Sequence, residues 1–418
     1  MYRTRTNYLI TTVLWLLFTV TVVDDSLASR GISTNKAFTG NIIFVDIDAS
    51  GAADGTSWVD AFNSINAALS TATAGDQVWV AEGTYLADPT GTDAAITFAV
   101  RNGVDLYGGF DGTETSLEAR DFSANQTILS GDLAGNDTGL PGAANSSYSE
   151  NTITLFNLSG SGFNQNMRVD GFTISGSKTR FLQMSEADNR LTFSNCVMEN
   201  NLSDVVMFSV GNSSNVTSAT GAELVIENTI IRNNSFGGQM VFNSTFGSSI
   251  GTRFIQCLIH NNTLSQETSG TYSSRGIFVN RTSDTFFADN GGNSQMSFTN
   301  CTIADNDITD PSASVFATLR TGTRGNSLIN TLTVNNTIVY GNGAETNPVQ
   351  RALGGASANS MISTVFNNVL WEVDPQFTTN GTNNYYLSVC SPALNAGSTN
   401  FIDLSTFEND LAGNPRVM

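Results

Sequence analysis

The chain is poor in charge, and poorest in basic side chains. Its 418 residues hold 18 Lys and Arg against 37 Asp and Glu, which gives a formal net charge of −19. There are only two lysines, Lys36 and Lys178, and one histidine, His260. Such an acidic chain repels nucleic acid and anionic lipid surfaces, so we expect neither as a partner.

Cysteine is also scarce for a chain of this length. The four cysteines, Cys196, Cys257, Cys301 and Cys390, are too few to form a disulfide-held scaffold. The hydrophobic share of 40% is nevertheless enough to bury a core, which argues against a disordered chain. Packing and hydrogen bonds must therefore hold the fold together.

The first 28 residues predict an export signal. A basic region, "MYRTRTNY", precedes the apolar run "LITTVLWLLFTVTVV", and "SLA" supplies small residues for cleavage after Ala28. A membrane anchor is the alternative, but the run is shorter than the roughly 20 residues that a spanning helix needs. No second apolar run of that length follows. We therefore expect an exported chain with no membrane span after cleavage.

One phrase with a central Asn returns along the chain. It reads "LTFSNCVMENNL" at 191, "LVIENTIIRNNS" at 224, "TRFIQCLIHNNT" at 252, "MSFTNCTIADND" at 296 and "LTVNNTIVYGNG" at 332. Two fainter copies are centred on Gly171 and Asn368. The uneven spacing of the copies indicates a constant core with variable loops.

Apolar residues flank each centre at alternate positions. Two residues before the centres stand Val169, Phe193, Ile226, Phe254, Phe298, Val334 and Phe366. Three residues after the centres stand Ile174, Met198, Ile231, Ile259, Ile303, Val339 and Trp371. This alternation predicts two short strands bent at the centre, because a helix would need apolar spacings of three and four.

A third apolar run precedes each phrase, as in "ITLF" at 153, "VVMF" at 205, "MVF" at 240, "IFV" at 277 and "VFA" at 315. Three strands per turn, repeated in register, predict an all-β fold: a right-handed single-stranded parallel β-helix with three strands per coil. Successive coils should stack at about 4.8 Å. The stretch from Trp58 to Leu69 has helical apolar spacing and predicts a short N-terminal capping helix, with Thr56 or Ser57 as its N-cap.

The asparagines are predicted to form a structural ladder, without a catalytic role. Asn tolerates the left-handed backbone that a sharp bend requires, and stacked amides can hydrogen-bond from coil to coil. The central column consists of Asn195, Asn228, Gln256, Asn300, Asn336 and Asn368. A second column, expected to do the same at the turn after the next strand, consists of Asn201, Asn234, Asn262, Asn306 and Asn342.

These patterns divide the chain into successive segments. We expect a signal peptide (1–28), an N-terminal linker (29–41), the first strand and capping helix (42–74), the β-helix (75–373) and a C-terminal segment that closes the solenoid (374–418). Within the β-helix, 133–150 is predicted to be a turn-rich loop, and another loop is expected at 263–275 or 283–295.

Several stretches resemble a family of exported bacterial β-helix proteins. "DIDASGAADGTSWVDAFNSINAAL", "GDQVWVAEGTY", "VDLYGGFDGTET", "TILSGD" and "DGFTISG" resemble its opening, and "DPQF", "YYLSVCSPALNAGS" and "DLAGNPR" resemble the closing segment of its "choice-of-anchor Q" members. The family has the pectate-lyase-like fold and resembles polymorphic outer-membrane-protein repeats. The resemblance covers about residues 42 to 418 and implies a protein secreted by, or on the outer surface of, a Gram-negative bacterium. Relatives usually continue past the position of Met418, so we expect a truncated C-terminal segment.

The sequence predicts no catalytic site. The best candidates are Lys178 and Arg180 in "SGSKTR", with Arg168 one strand earlier, and a solvated turn is the alternative interpretation. His260 occupies a repeat column, at a position expected to be exposed.

No cofactor is expected either, although Ca²⁺ is possible at one loop. The loop "DIDASGAADG" offers Asp46, Asp48 and Asp54, but Ser57 stands where an EF-hand loop needs Glu. The sequence therefore predicts no metal site, with these three aspartates as the candidates should one exist.

Three functions remain open from the sequence. The first is a non-catalytic exported or cell-surface protein, an adhesin or structural protein that presents loops from a stiff solenoid. The second is a polysaccharide-binding module, and the third is a polysaccharide lyase or glycoside hydrolase. The expected partner is a host, cell-surface or matrix component, with a neutral polysaccharide as one candidate because the chain itself is acidic.

Overall fold

The computed structural model describes most of the chain after residue 39. The described residues are 40–142, 144–159, 165–184, 189–204, 206–211, 221–245, 249–264, 276–283, 293–308, 314–321, 329–343, 349–354, 361–378, 384–401 and 409–410. The predicted signal peptide, 1–28, and nearly all of the predicted linker, 29–41, lie outside them. The predicted loop at 263–275 or 283–295 also falls mostly outside them.

Parallel strands form three long sheets, as the apolar columns predicted. Sheet 1 consists of β1 (Ile42–Val45), β2 (Gln77–Ala81), β4 (Asp105–Phe110), β7 (Asn166–Asp170), β10 (Arg190–Ser194), β14 (Ala222–Glu227), β18 (Ile250–Ile255), β22 (Ser294–Thr299), β26 (Ile329–Asn335) and β29 (Met361–Asn367). Sheet 2 consists of β3 (Gly83–Leu86), β5 (Thr127–Ser130), β8 (Thr173–Ser175), β11 (Val197–Glu199), β15 (Ile230–Arg232), β19 (Leu258–His260), β23 (Thr302–Ala304), β27 (Ile338–Tyr340) and β30 (Leu370–Trp371). Sheet 3 consists of β6 (Thr154–Leu158), β9 (Arg180–Met184), β13 (Val206–Gly211), β17 (Gln239–Thr245), β21 (Gly276–Ser283), β25 (Ser314–Thr321) and β28 (Val349–Gly354).

Each coil passes through the sheets in turn, so the predicted parallel β-helix is confirmed. The prediction of three strands per coil is incomplete, because a short fourth strand lies between sheets 2 and 3 in the middle coils. This sheet 4 consists of β12 (Leu202–Ser203), β16 (Ser235–Phe236), β20 (Thr263–Leu264) and β24 (Asp307–Ile308). Two residues are too few to show an apolar alternation, which explains why the sequence pattern missed these strands.

The apolar column two residues before each centre runs unbroken through sheet 1. Strand pairing places these residues side by side in the order Val169, Phe193, Ile226, Phe254, Phe298, Val334 and Phe366. The first six are fully buried, whereas Phe366 in the last coil is 36% exposed. Aromatic rings stack along the interior, with the centroids of Phe254 and Phe298 4.8 Å apart. The core is therefore one continuous apolar column along the coil axis.

The N-terminal cap differs from the prediction in where its helix begins. Helix α1 spans only Ile65–Thr71, and its N-cap is Ser64 rather than Thr56 or Ser57. The backbone before it pairs with the free edge of β1: Phe62 donates to the carbonyl of Phe44 at 2.9 Å. This extended segment blunts the sheet edge, while Ile65, Ala68 and Leu69 of α1 are buried against the first coil.

The C-terminal segment lies along the side of the solenoid in its described parts, so the expectation that it closes the end is not met there. Its short antiparallel strands, β31 (Phe377–Thr378) and β32 (Tyr386–Leu387), follow the last coil. Ser398 and Asn336 exchange hydrogen bonds of 2.9 and 2.7 Å, and Gln256 donates to the carbonyl of Asn409 at 2.8 Å. The segment therefore runs back over earlier coils.

The central Asn column has the backbone that the bend requires. Gly171 and the six predicted members of the column all have positive φ, with Asn228 at 47° and Gln256 at 57°. Their amides bond from coil to coil: Gln256 donates to Asn228 at 3.0 Å, and Asn336 donates to Asn300 at 2.9 Å. The column ends on Asp170, whose carboxylate accepts from Asn195 at 2.9 Å.

The second Asn column forms a ladder, but its backbone was predicted wrongly. The left-handed residues are those immediately before it, Asn200, Asn233, Asn261, Asp305 and Gly341. The predicted residues instead point inward and are almost fully buried. Their side-chain amides form a chain of bonds of 2.7 to 3.0 Å, in the order Asn201, Asn234, Asn262, Asn306 and Asn342.

A third buried polar group lies between sheets 3 and 1, where no sequence pattern predicted it. Thr252 donates to Asn243 at 2.7 Å, and Asn243 in turn donates to Asn280 at 3.4 Å. Asn280 also donates to the Asn330 side chain and accepts from Ser294. All five side chains are at most 1% exposed. Amide hydrogen bonds therefore occur inside the solenoid in this group and in the second Asn column, as well as at the bend of the central column.

The four cysteines are free thiols. Cys196, Cys257 and Cys301 are buried in the column after the centres, and Cys390 is exposed. Burial raises the pKa of Cys196 and of Cys257, and the neighbouring Cys301 thiol raises that of Cys257 further. The three buried thiols therefore behave as small apolar side chains.

Thiol labelling should separate the two classes of cysteine. In the native protein at pH 8, we expect Cys390 alone to react quickly, because thiolate character and access control reactivity. All four cysteines should react after unfolding without reductant. Rapid labelling of a second thiol in the folded protein, or fewer than four in the unfolded one, would contradict the assignment.

Replacing Asn228 tests the ladder formed by the central Asn column. We expect Asn228→Val to lower the free energy of unfolding by on the order of 1–3 kcal/mol, because a β-branched residue is strained at positive φ and cannot replace the amide bonds. Asn228→Gly, the matched control, relieves the backbone strain and should cost less. Thermal and urea unfolding measure both variants, and a Val variant as stable as the parent would be inconsistent with the ladder.

Candidate functional site

An ion-pair network lies on the outer face of sheet 1 in its early coils. Arg168 on β7 contacts Glu227 at 2.9 Å and Asp170 at 3.4 Å, and Arg120 contacts the other oxygen of Asp170 at 2.7 Å. Both carboxylates are almost fully buried. The guanidinium of Arg168 lies between opposite charges that raise its pKa against the effect of its own burial. Its carboxylate partners therefore stabilise its protonated form.

The three basic candidates do not form one site. The Lys178 ammonium donates to the carbonyl oxygen of Ser149, and the Arg180 guanidinium donates to the side-chain oxygen of Gln183. Arg168 takes part in the separate network on sheet 1. The "SGSKTR" stretch thus supplies two cations that each bind a neighbouring oxygen, and Arg180 lies in β9 with a buried Nε atom that has no partner.

His260 is buried, so its predicted exposure was wrong. It lies on β19, and the returning C-terminal segment covers it: the Tyr385 ring centroid is 4.5 Å from its own. Its Nδ1 atom is buried without a hydrogen-bond partner. Burial, and to a smaller extent the charge of Arg232, lowers the pKa of His260 to about 4. The repeat column could not reveal this burial because the covering residue is 125 positions away in the sequence.

The three aspartates of the first loop do not converge. Asp46 accepts from the backbone of Asp48 at 2.9 Å, and Asp54 accepts from the backbone of Thr56 at 3.0 Å, so both carboxylates stabilise their own turns. The only group of three metal-ligating side chains that converges within the described residues is elsewhere. It consists of Asp132, Asp137 and Glu150.

Those three carboxylates lie in and beside the loop that the sequence showed only as turn-rich. "GDLAGND" and "YSEN" hold acidic residues at the two ends of the loop, but nothing in the one-dimensional pattern indicates that the ends meet. They meet because β5 and β6 belong to adjacent sheets of one coil.

A second surface missed by the sequence analysis is the outer face of the last three strands of sheet 1. Strands β22, β26 and β29 contain no charged residue. Their outward positions form what we call the neutral face: Gln295, Ser297, Thr299, Thr331, Thr333, Asn335, Ser363, Val365 and Asn367. In these strands the sequence does show Ser, Thr, Asn and Gln alternating with apolar residues. Only the strand register, however, aligns these polar residues across the sheet.

Strand pairing sets the positions of the residues on the neutral face. Thr333 lies at its middle, beside Ser297 on one strand and Val365 on the other. Neighbouring strands lie about 4.8 Å apart and alternate residues about 6.6 Å apart, so the hydroxyl and amide groups form a flat, regular array. This array contrasts with the paired charges of the earlier coils.

The sheets and their register define the class of this molecule: it is a parallel β-helix protein. No protein-family model and no curated protein sequence matches the chain. Among solved structures, it is similar to a rhamnogalacturonan lyase, with 14% identity, a TM-score of 0.42, and coverage of 81% of this chain and 91% of the lyase. It is also similar to pectate lyase Pel9A, with 11% identity, a TM-score of 0.33, and coverage of 85% and 90%. Similarity at this level carries no information about activity.

Among the described residues, no helix combines the length and apolar character that crossing a bilayer requires.

The buried imidazole should make stability depend on pH. Because the pKa of His260 is about 4 when folded against 6.5 for an unperturbed histidine, the unfolded chain binds its proton more readily. Stability should therefore fall as the pH drops from about 6.5 to about 4, by on the order of 2 kcal/mol for this residue. Melting temperatures of the parent and His260→Gln across pH 4 to 7 measure the difference.

Comparing the slopes isolates the histidine from the other titrating groups, which both proteins share. The parent should lose more stability than His260→Gln over this interval. Parallel pH profiles would show that His260 is accessible to protons in the folded protein.

Proposed function

We propose that this chain is an exported, non-catalytic β-helix protein that binds a neutral glycan through the neutral face. The observation that supports the proposal is the array of eight uncharged hydrogen-bonding side chains on three adjacent strands. Sugar hydroxyls both donate and accept hydrogen bonds, as do Ser, Thr, Asn and Gln. A rigid parallel sheet presents these groups with little entropy left to lose on binding.

The contacts of the basic candidates favour binding over catalysis. Acid–base chemistry on a glycan needs a group that is free to exchange a proton near the scissile bond. Arg168 is ion-paired, and Lys178 and Arg180 each donate to a neighbouring oxygen. His260 is covered by Tyr385 and is uncharged at neutral pH. None of these side chains lies on the strands that form the neutral face.

The charge of the chain favours a neutral partner. A net charge of −19 repels uronate polymers, and the neutral face supplies no cation to offset that repulsion. The exposed large apolar side chains of the described residues include the aromatic residues Phe122 and Phe366, which do not form a row along one face. Binding should therefore depend on many weak hydrogen bonds to an extended chain, as suits an adhesive or structural protein at a cell surface.

A matched pair of lysine variants tests the face. We expect the parent to be retained on at least one immobilised neutral polysaccharide, and Thr333→Lys to weaken retention by about tenfold because it introduces a charge that must be desolvated. Thr192→Lys changes the same outward column on β10, in the charged half of sheet 1, and should bind like the parent. Affinity electrophoresis across a panel of neutral and acidic polymers measures all three proteins.

Equal loss of retention in the two variants would contradict binding at the neutral face. The non-catalytic part of the proposal has its own test. Pectin, alginate and related polymers should remain intact with or without Ca²⁺, as judged by unsaturated products and reducing ends. Turnover that disappears in Lys178→Ala would instead identify the "SGSKTR" turn as an active site.

A further inference from the structure

Three carboxylates converge beside the loop that joins sheets 2 and 3. Asp132 follows β5, Glu150 precedes β6, and Asp137 lies in the loop between them. One oxygen from each lies within 4.8 Å of the others. We call these three residues the carboxylate cluster.

The cluster has more acceptors than donors. Both oxygens of Asp132 accept backbone hydrogen bonds, from Asn136 at 3.1 Å and from Asp137 at 3.0 Å. By contrast, Asp137 Oδ1 and Glu150 Oε1 are buried and have no hydrogen-bond partner. Buried carboxylate oxygens without a donor are costly, since nothing replaces their lost hydration.

A buried amide supplies an independent indication of a ligand. Asn151 is fully buried, and its Nδ2 donates to Asp137 Oδ2 at 2.8 Å, so the amide faces the cluster. Its Oδ1 atom has no partner. This side chain therefore has an unpaired buried oxygen beside the nitrogen that contacts the cluster, and hard cations bind amide oxygens together with carboxylates.

Within the described part of the chain, no ion pair joins a basic side chain to the cluster. Lys178 donates to the carbonyl oxygen of Ser149, the residue before Glu150. The geometry and the charge excess indicate the same missing partner, a cation.

We propose that the carboxylate cluster, with the side-chain oxygen of Asn151, binds one Ca²⁺ ion that fixes the 133–150 loop against the solenoid. Calcium binds oxygen at about 2.3–2.6 Å, so ligands on opposite sides of the ion lie about 4.6–5.2 Å apart. A spread of up to 4.8 Å fits that sphere. Magnesium requires bonds of about 2.0–2.1 Å and near-ideal octahedral geometry, and should bind less well.

The ion would connect three points of the loop. Its carboxylate ligands come from the residue before the loop, from Asp137 near the start of the loop and from the last residue of the loop, so one ion would link the two ends. The three-residue helix Ser146–Tyr148 lies next to Glu150 and should be ordered with it. This site is distinct from the loop of Asp46, Asp48 and Asp54, where the sequence allowed calcium.

Calcium titration of the purified full chain after chelation tests the site. We expect one equivalent to bind at pH 7, to raise the melting temperature, and to slow amide hydrogen exchange in residues 132–152. Mg²⁺ should have a smaller effect at the same concentration. Binding should weaken at low pH, because protons compete with the ion for carboxylate ligands.

Asp137→Asn should affect thermal stability differently in chelator and in Ca²⁺. In chelator it should melt at or above the parent temperature, because it removes one of three converging negative charges but can keep the bond to Asn151. In Ca²⁺ it should lose the stabilisation, with affinity reduced at least about tenfold, since a charged ligand is replaced by a neutral one. Asp48→Asn, an exposed carboxylate of the other loop, is the matched control and should bind Ca²⁺ like the parent.

Three results would overturn the proposal. The first is the absence of any Ca²⁺-dependent change in melting temperature or in exchange of 132–152 at 10 mM Ca²⁺. The second is equal affinity in Asp137→Asn and the parent. The third is a loss of binding in Asp48→Asn alone, which would place the ion at the first loop.

Discussion

The solenoid depends on hydrogen bonding of Asn side chains at its corners. A coil that turns sharply leaves backbone groups facing inward where no strand can pair with them. We call the second Asn column the inner column, since its side chains point inward. Its first four amides donate both to a backbone carbonyl and to the next Asn, as Asn234 does to Met198 and Asn262 at 2.9 Å. Each such group left unsatisfied would cost about 1–3 kcal/mol. Repeated coil after coil, the amides let a chain with few charges and no disulfide keep its register.

The sequence predicted the parts of the fold that repeat in a column. Phe193 and Ile226 are apolar at matching positions, and the structure pairs them directly. The positive φ of Asn228 followed from the sharpness of the bend. The inner column was predicted only in part, because two consecutive asparagines have different roles. Asn233 adopts the left-handed backbone, and the side chain of Asn234 points inward. Composition alone cannot assign those two roles.

The sequence could not predict contacts between segments that are far apart in the chain. Gln256 bonds to Asn409 across 153 positions, and Tyr385 buries His260. The carboxylate cluster forms because adjacent sheets bring the ends of one loop together. The polar residues of the neutral face can be recognised in the sequence, but only the strand register shows that they lie side by side on one surface. Candidate sites therefore depend on the loops and the returning C-terminal segment, whereas the repeat determines the scaffold that positions them.

Side-chain amide exchange tests most directly whether the inner Asn column binds the coils together. In a protein labelled with ¹⁵N-asparagine, the NH₂ groups of Asn201, Asn234, Asn262 and Asn306 should exchange as slowly as backbone amides of neighbouring strands, because each donates at least two buried hydrogen bonds. Exchange at the rate of exposed asparagine would show that the column does not bind the coils together, and would contradict the account.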